Sequence, residues 1–175
     1  MADIERALKT MNVPRLYHPT ILPVESLAII EASFEEMLGK GGIILFGERA
    51  KKIPTIVAVE MLKLAFKNRW MGYFIDIYGL LNDARATTYS TEDATTVWKH
   101  CKETQFLVLN NIADAFVFSE YEQRLLAELL VHRQDNKLYT IIVIYGNGED
   151  EETRVRVFGR PVADIIAGFA IKKVE

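Results

Sequence analysis

Five largely apolar runs mark the chain. "GIILF" (42–46), "MGYFIDIY" (71–78), "QFLVLNN" (105–111), "LYTIIVIYG" (138–146) and "FAIKKVE" (169–175) read as strands. They do not alternate apolar with polar residues, which is the pattern of strands buried on both faces of a parallel sheet. Between them the apolar residues recur at helical spacing. Residues 3–11 place Ile4, Ala7, Leu8 and Met11 on one face, and residues 24–38 form a helix expected to end at Gly39. Further helices are predicted over 55–70, from Gly79, over 91–102, over 119–136 and over 159–167. Thr91 is the expected N-cap of the 91–102 helix, with Ala94, Val97, Trp98 and Cys101 inward, and Ser119 with Glu122 is the expected capping box of the 119–136 helix. The last begins near Pro161. "NVPRLYHPTILP" is expected to be extended, because its three prolines and the residues before them resist helix.

Strands alternating with helices and joined by right-handed crossovers predict a three-layer α/β domain, a parallel sheet with helices on both faces. One domain is expected over 1–175: an N-terminal helix and extended segment (1–23), then the core (24–175). The loops at 47–54, 78–80, 110–118 and 145–153 follow strands, so they are expected to line the carboxyl edge of the sheet, where ligands of such folds bind.

Composition narrows the classes. With 50% hydrophobic and 26% charged residues the chain should fold, and its net charge of −3 gives no global attraction to nucleic acid. A single cysteine, Cys101, excludes an internal disulfide and a cysteine zinc site. The charged "MADIERALKT" start is unlike a signal peptide, and no apolar run approaches the ~20 residues of a membrane span, so a soluble, cytoplasmic protein is expected.

The stretch "FGERAKKIPT" (46–55) lies between a strand and a helix, where phosphate-binding loops of the pattern G-x-x-x-x-G-K-[ST] occur. Gly47 fits the first position. Lysine 52 stands at the second glycine, Ile53 at the lysine and Pro54 at the hydroxyl residue. Pro54 suits the first turn of a helix, so the helix is kept while the ligand chemistry is removed. A one-residue slip would instead put Thr55 at the hydroxyl position and Lys51 or Lys52 near the lysine position.

Several stretches, in this order, resemble the AAA+ core of the DnaC/DnaI-type helicase loaders and the IstB-type transposition helpers. "NVPRLYHPTIL" is similar to the segment before their ATPase core, and "IILFGERAKKIPTIVAVEMLKLAFKN" lies where they carry the phosphate loop and its helix. "YFIDIYGLL" resembles their second strand and following helix. "FLVLNNIADAFVFSEYEQRLLAELLVHRQDNKLYTIIV" resembles their Walker B strand, helix and sensor-1 strand, and "VFGRPVADIIAG" their arginine-finger box. The resemblance spans about residues 12–173 and implies a P-loop NTPase-like fold. Such loaders usually carry a helicase-binding module before the core; with about ten residues before "NVPRLY", this chain is expected to be a core alone or to use another surface.

Position by position, the resemblance also implies lost chemistry. The paired Walker B acids, which would hold Mg²⁺ and activate water, fall on Asn110 and Asn111. Amides carry no charge and take no proton at neutral pH; these two are expected to satisfy backbone groups at the strand end. The sensor-1 asparagine falls on Tyr145, with Asn147 two residues late, and the arginine finger falls near Asp164 or Ile165, with Arg160 a turn earlier. ATP hydrolysis, a cofactor and a metal are therefore not expected.

His18, His100 and His132 make no metal-binding spacing, and Cys101 beside His100 is expected to be core. Tyr17 and His18 are expected to pack on the domain. Glu149–Asp150–Glu151–Glu152 is expected to be a solvated loop. Arg49, Lys51 and Lys52, with Lys63, Lys67 and Arg69 along the next helix and Trp70 nearby, form a basic cluster. Two functions follow. The first is a non-catalytic relative of a replicative helicase loader, binding a helicase, an ATP-competent loader or its own copies. The second is an accessory protein that binds single-stranded nucleic acid weakly through Arg49, Lys51, Lys52, Lys67 and Arg69. A nucleotide-binding protein with an unusual loop is a third.

Overall fold

Both faces of every central strand are apolar because both are covered. In a computed structural model, which describes residues 2–18, 24–87 and 94–174, the strands are β1 (Gly42–Gly47), β2 (Gly72–Asp76), β3 (Phe106–Ala113), β4 (Tyr139–Tyr145) and β5 (Ala170–Lys173). They form one sheet in the order β2-β3-β4-β1-β5, and every neighbouring pair is parallel. The helices are α1 (Ala2–Thr10), α2 (Val24–Lys40), α3 (Ile53–Lys67), α4 (Ile77–Thr87), α5 (Ala94–Glu103), α6 (Glu120–Asp135), α7 (Glu151–Phe158) and α8 (Arg160–Ile166). Ile43, Leu45, Val108 and Ile141 pack with Met11, Phe34 and Leu62 on the α1–α3 side. Ile44, Leu107, Leu109 and Ile142 pack with Leu81, Leu129 and Val162 on the α4–α8 side. Each such fully buried side chain contributes about 1.5–3 kcal/mol, so successive strand residues hold the two helix layers to one sheet.

The parallel sheet is as the pattern predicts, and so is the element order apart from α7, which the pattern did not predict; several boundaries differ. Helix α2 runs through Gly39 to Lys40, and the turn falls at Gly41, whose φ of 76° is left-handed. Residues 15–17 form a 3-10 turn rather than continuing extended. No loop separates β2 from a helix at 78–80. Asp76 Oδ1 accepts the Tyr78 backbone N–H at 3.0 Å, which starts α4 at Ile77 directly after the strand. Strand β3 passes through both asparagines to Ala113 by a bulge between Leu109 and Ile112. The acidic run is not wholly loop. Asp150 accepts from Thr153 N–H at 2.8 Å, and Glu151 and Glu152 form the first turn of α7, where carboxylates favour the helix dipole. The Ser119–Glu122 capping box is present, and α8 carries its proline in the first turn. Thr91 lies outside the described residues.

Two features pin the sheet. Phe74, on the edge strand β2, donates its N–H to Met11 O at 2.8 Å, and its carbonyl accepts from Asn12 Nδ2 at 3.0 Å. The N-terminal segment thereby takes the place of a further strand. At the opposite end of the strands Arg133 is fully buried. Its guanidinium donates to Thr140 Oγ1 and to the carbonyls of Cys101, Thr104 and Tyr139, at 2.9, 2.7, 2.9 and 2.5 Å. Burial pulls its pKa down to about 10, so it remains a cation near neutral pH. Cys101 beside it is buried core, its thiol pushed up to about 12 by burial.

Candidate functional site

The loop between β1 and α3 keeps the shape of a strand–loop–helix turn for reasons of packing. A Cβ at Gly47 would lie 2.3 Å from the Val174 carbonyl oxygen and 3.2 Å from Pro54 Cγ. Glycine is thus required by the backbone of the chain leaving β5, with or without a phosphate. Lys52 sits at the N-cap of α3 with φ of 54°, a left-handed conformation that costs a non-glycine residue about 1–2 kcal/mol. Ile53 and the buried Pro54 open α3, as expected of proline in a first turn.

Thr55, not Pro54, faces the end of β3. Its hydroxyl is fully buried and donates to Asn110 Oδ1 at 2.7 Å, and it lies 2.5 Å from the Tyr145 hydroxyl. Thr55 has one proton to give, so the Tyr145 hydroxyl donates to Thr55. The hydroxyl at the head of α3 is thus that of Thr55. Lys51 turns to Glu48 at 3.6 Å, and Lys52 points into a cleft from the N-cap of α3. Asn110 and Tyr145 are each 6% exposed, so this uncharged trio closes the floor of the site.

Beside it runs a second chain of contacts. Asn111, at φ 70° on the bulge, donates Nδ2–H to Asp76 Oδ2 at 2.8 Å and accepts from an Arg49 guanidinium N–H at 3.2 Å. The Arg49 guanidinium also lies over the Tyr145 ring, 5.9 Å from its centre. The asparagines therefore bond to side chains of α3, β2 and the 47–52 loop, and not to backbone at their own strand end. The reason is the register: Asp76 is paired with Asn110 across neighbouring parallel strands, so both strand ends meet at one level.

These residues line a cleft of about 690 Å³, roofed by the N-terminal segment. Lys9, Arg49 and Lys52 bring positive charge to it, Asp76 a single carboxylate, and Asn12, Val13, Leu16, Tyr17 and Phe74 the remaining wall. Tyr17 packs on Phe74 with ring centres 6.3 Å apart, and burial raises its pKa, so its hydroxyl stays protonated. His18 Nε2 bonds Val13 O at 2.8 Å. Both residues pack on the domain as expected.

A magnesium-bound nucleotide finds few of its usual partners. Among the described residues no three His, Cys, Asp or Glu side chains are grouped to hold a metal. The hydroxyl that would reach a cation is engaged by Asn110 and Tyr145, and Asp76 is held by Asn111 and the Tyr78 N–H. The donor set does not fit the metal.

The other candidates disperse. Asn147 is held on both sides: its backbone N–H donates to Asp114 Oδ2 beyond β3 at 3.0 Å, and its side-chain Oδ1 accepts from the Glu149 N–H of its own loop at 3.1 Å. Arg160 pairs with Glu151 at 2.9 Å and Asp164 at 3.9 Å. Lys67 and Arg69 lie at the far end of α3, roughly 20 Å from Lys52 by helix rise. Lys63 is paired with Glu60 at 2.6 Å, and the half-buried Trp70 stacks against Phe34 and Phe106 at the margin of the core. Neither is available to a nucleic acid. Sequence reasoning missed Asp76, Lys9 and Asn12. A lone carboxylate closing an apolar strand was the available sign for Asp76; no sign marked the other two.

No family model matches the chain, and no curated protein matches its sequence. Solved structures do resemble it. The DnaC helicase loader superposes with a TM-score of 0.67 at 20% identity, over 92% of this chain and 95% of that one. DnaI superposes at 0.66 and 14% identity, over 100% and 94%. Domain III of the Thermotoga maritima replication initiation protein DnaA superposes at 0.70 and 12% identity, over 91% and 66%. At such identities the likeness is one of fold. The fold is the P-loop AAA+ core, a five-stranded parallel sheet between helices. Within that class it is the form shared by DnaC, DnaI and the DnaA domain.

Proposed function

We propose that the chain is a non-catalytic relative of the replicative helicase loaders that works in DNA replication by binding other proteins: a replicative helicase, an ATP-competent loader, or further copies of itself. The observation that carries this reading is the buried Thr55–Asn110–Tyr145 trio. Phosphoryl transfer needs a metal, a counter-charge on the phosphates and a group that orients water. Here the Thr55 hydroxyl is engaged by two neutral hydrogen bonds, Ile53 stands at the lysine position, and the amides of Asn110 and Asn111 accept no proton, which supports the reading. The loader-like fold supports the choice of partner. The purified chain should release no phosphate from ATP and should capture the replicative helicase, or the loader, of its source cell. Turnover at the rate of an active loader defeats the first half of the reading; failure to retain either protein, together with a chain that stays monomeric, defeats the second.

Weak binding of single-stranded nucleic acid is the second reading, favoured by Arg49 and Lys52 in the cleft and by exposed Lys67 and Arg69. Gel shift across a salt series separates it, because phosphate contacts weaken steeply with salt.

A further inference from the structure

The floor of the large cleft holds a donor that nothing in the fold uses, and we infer from it that the cleft is the site of a small organic dicarboxylate with an apolar body, held without a metal. Asn110 is 6% exposed, and its Oδ1 is taken by the Thr55 hydroxyl. Among the described residues its Nδ2 has no hydrogen-bond partner, yet it is not sealed off, so it opens on the cleft that Asn110 lines. A nearly buried amide without an acceptor is costly, and a bound acceptor removes that cost. More donors stand around it. Among the described residues the Lys9 and Lys52 side chains have neither an ion pair nor a hydrogen bond, and the Arg49 guanidinium is bonded only to the neutral Asn111 amide.

The same groups set the charge and the class of the ligand. Lys9, Arg49 and Lys52 are three cations and Asp76 is one carboxylate, so the cleft has an excess of two positive charges, which a dianion matches. Leu16, Tyr17 and Phe74 supply an apolar wall for its body, and a cleft of about 690 Å³ has the size of a small-molecule site. A tetrahedral phosphate has three oxygens to satisfy, and phosphate loops meet them with successive backbone N–H groups. Here Pro54 has no N–H, and the Lys52 N–H is given to Arg49 O at 3.3 Å. Side-chain donors remain, and the planar Asn110 amide and Arg49 guanidinium present N–H groups of the kind that pair with a flat carboxylate. One carboxylate at the floor, on Asn110, Arg49 and Lys52, leaves Lys9 in the roof for a second.

This goes beyond the protein-binding reading and does not depend on it, so helicase or loader capture can succeed or fail separately. Isothermal titration of the purified chain in EDTA, with terephthalate and with suberate, should detect binding of at least one of these dicarboxylates, whose apolar bodies are flat and flexible respectively. Benzoate, with one carboxylate, and phenyl phosphate should bind at least about tenfold more weakly. Asn110→Asp keeps the size of the side chain and the acceptor for Thr55 but turns the free donor into a carboxylate oxygen. It should cost at least about tenfold in affinity, with circular dichroism reporting an intact fold. Lys52→Gln, at an exposed position, should cost a similar factor, and Lys67→Gln, at the far end of α3, should cost nothing. No binding of either dicarboxylate overturns the proposal. So does benzoate or phenyl phosphate bound as tightly, a requirement for Mg²⁺, or an equal loss in Lys67→Gln. Affinity unchanged in Lys52→Gln, or in a folded Asn110→Asp variant, overturns it as well.

Discussion

The buried trio at the floor of the cleft makes a quantitative forecast. Thr55→Val keeps shape and volume but removes the hydroxyl, leaving Asn110 Oδ1 and the Tyr145 hydroxyl without their partner where Asn110 and Tyr145 are each 6% exposed. A buried polar group left unsatisfied costs about 1–3 kcal/mol, so the variant should lose roughly 2 kcal/mol. For a domain of this size that is a fall of roughly 4–8 °C in melting temperature. Tyr145→Phe deletes only the donor to Thr55 and should cost roughly 1 kcal/mol. In the double variant the stranded tyrosine hydroxyl no longer exists, so the combined loss should fall short of the sum by roughly 0.5–1.5 kcal/mol. Urea unfolding of the parent, both singles and the double gives this coupling directly. Additive losses, or a Thr55→Val variant as stable as the parent, would refute the claim that the three groups act as one network.

Other consequences can be checked more briefly. Millimolar ATP with Mg²⁺ should leave the melting temperature unchanged, whereas a ligand at a hundredfold excess over Kd would add about 2.7 kcal/mol. Asn110→Asp alone should restore no phosphate release, because Ile53 and Pro54 remain. If single-stranded DNA binds, Lys51→Glu with Lys52→Glu should abolish a low-salt gel shift; an unchanged shift moves the site elsewhere. Arg133→Met should cost about 3 kcal/mol in urea, since it strands the buried Cys101 carbonyl and Thr140 hydroxyl and the half-buried carbonyls of Thr104 and Tyr139. Asp150→Ala should lower the melting temperature at neutral pH by removing the α7 cap. Hydrogen bonds from Thr153 hold the Asp150 carboxyl below its ordinary value. Its contribution is therefore present above the ordinary carboxylate range and lost as pH falls through the folded-state value, so parent and variant should converge in strong acid.

The sheet was legible because its evidence is local and repeated. Ile43 to Phe46 and Ile141 to Ile144 are apolar at every position, and only a doubly covered parallel strand requires that. The capping box at Ser119 and Glu122 is likewise a three-residue signal. What escaped notice is carried by pairs distant in sequence. Asp76 is one apolar strand's last residue until register sets it against Asn110, 34 residues on. Lys9 and Asn12 belong to a short helix and its end, and only the tertiary fold roofs the cleft with them. The basic cluster was legible as composition but not as geometry: a helix of 15 residues separates its two halves, and Trp70 stacks at the margin of the core. Gly47 was the right landmark with a different cause, since Val174 alone accounts for it.

The docking of Met11 and Asn12 on Phe74 has a bearing on how the molecule stays single-sheeted. An edge strand with free N–H and C=O groups is a template onto which another chain can add. On β2 the backbone groups of Phe74 are already spoken for, one by a carbonyl and the other by an asparagine side chain. Because a side-chain amide closes the second bond, the pairing stops there and cannot be continued by a further strand in register. The first dozen residues thus act as a guard against edge-to-edge aggregation, and a proteolytic cut after Asn12 would be felt first in solubility.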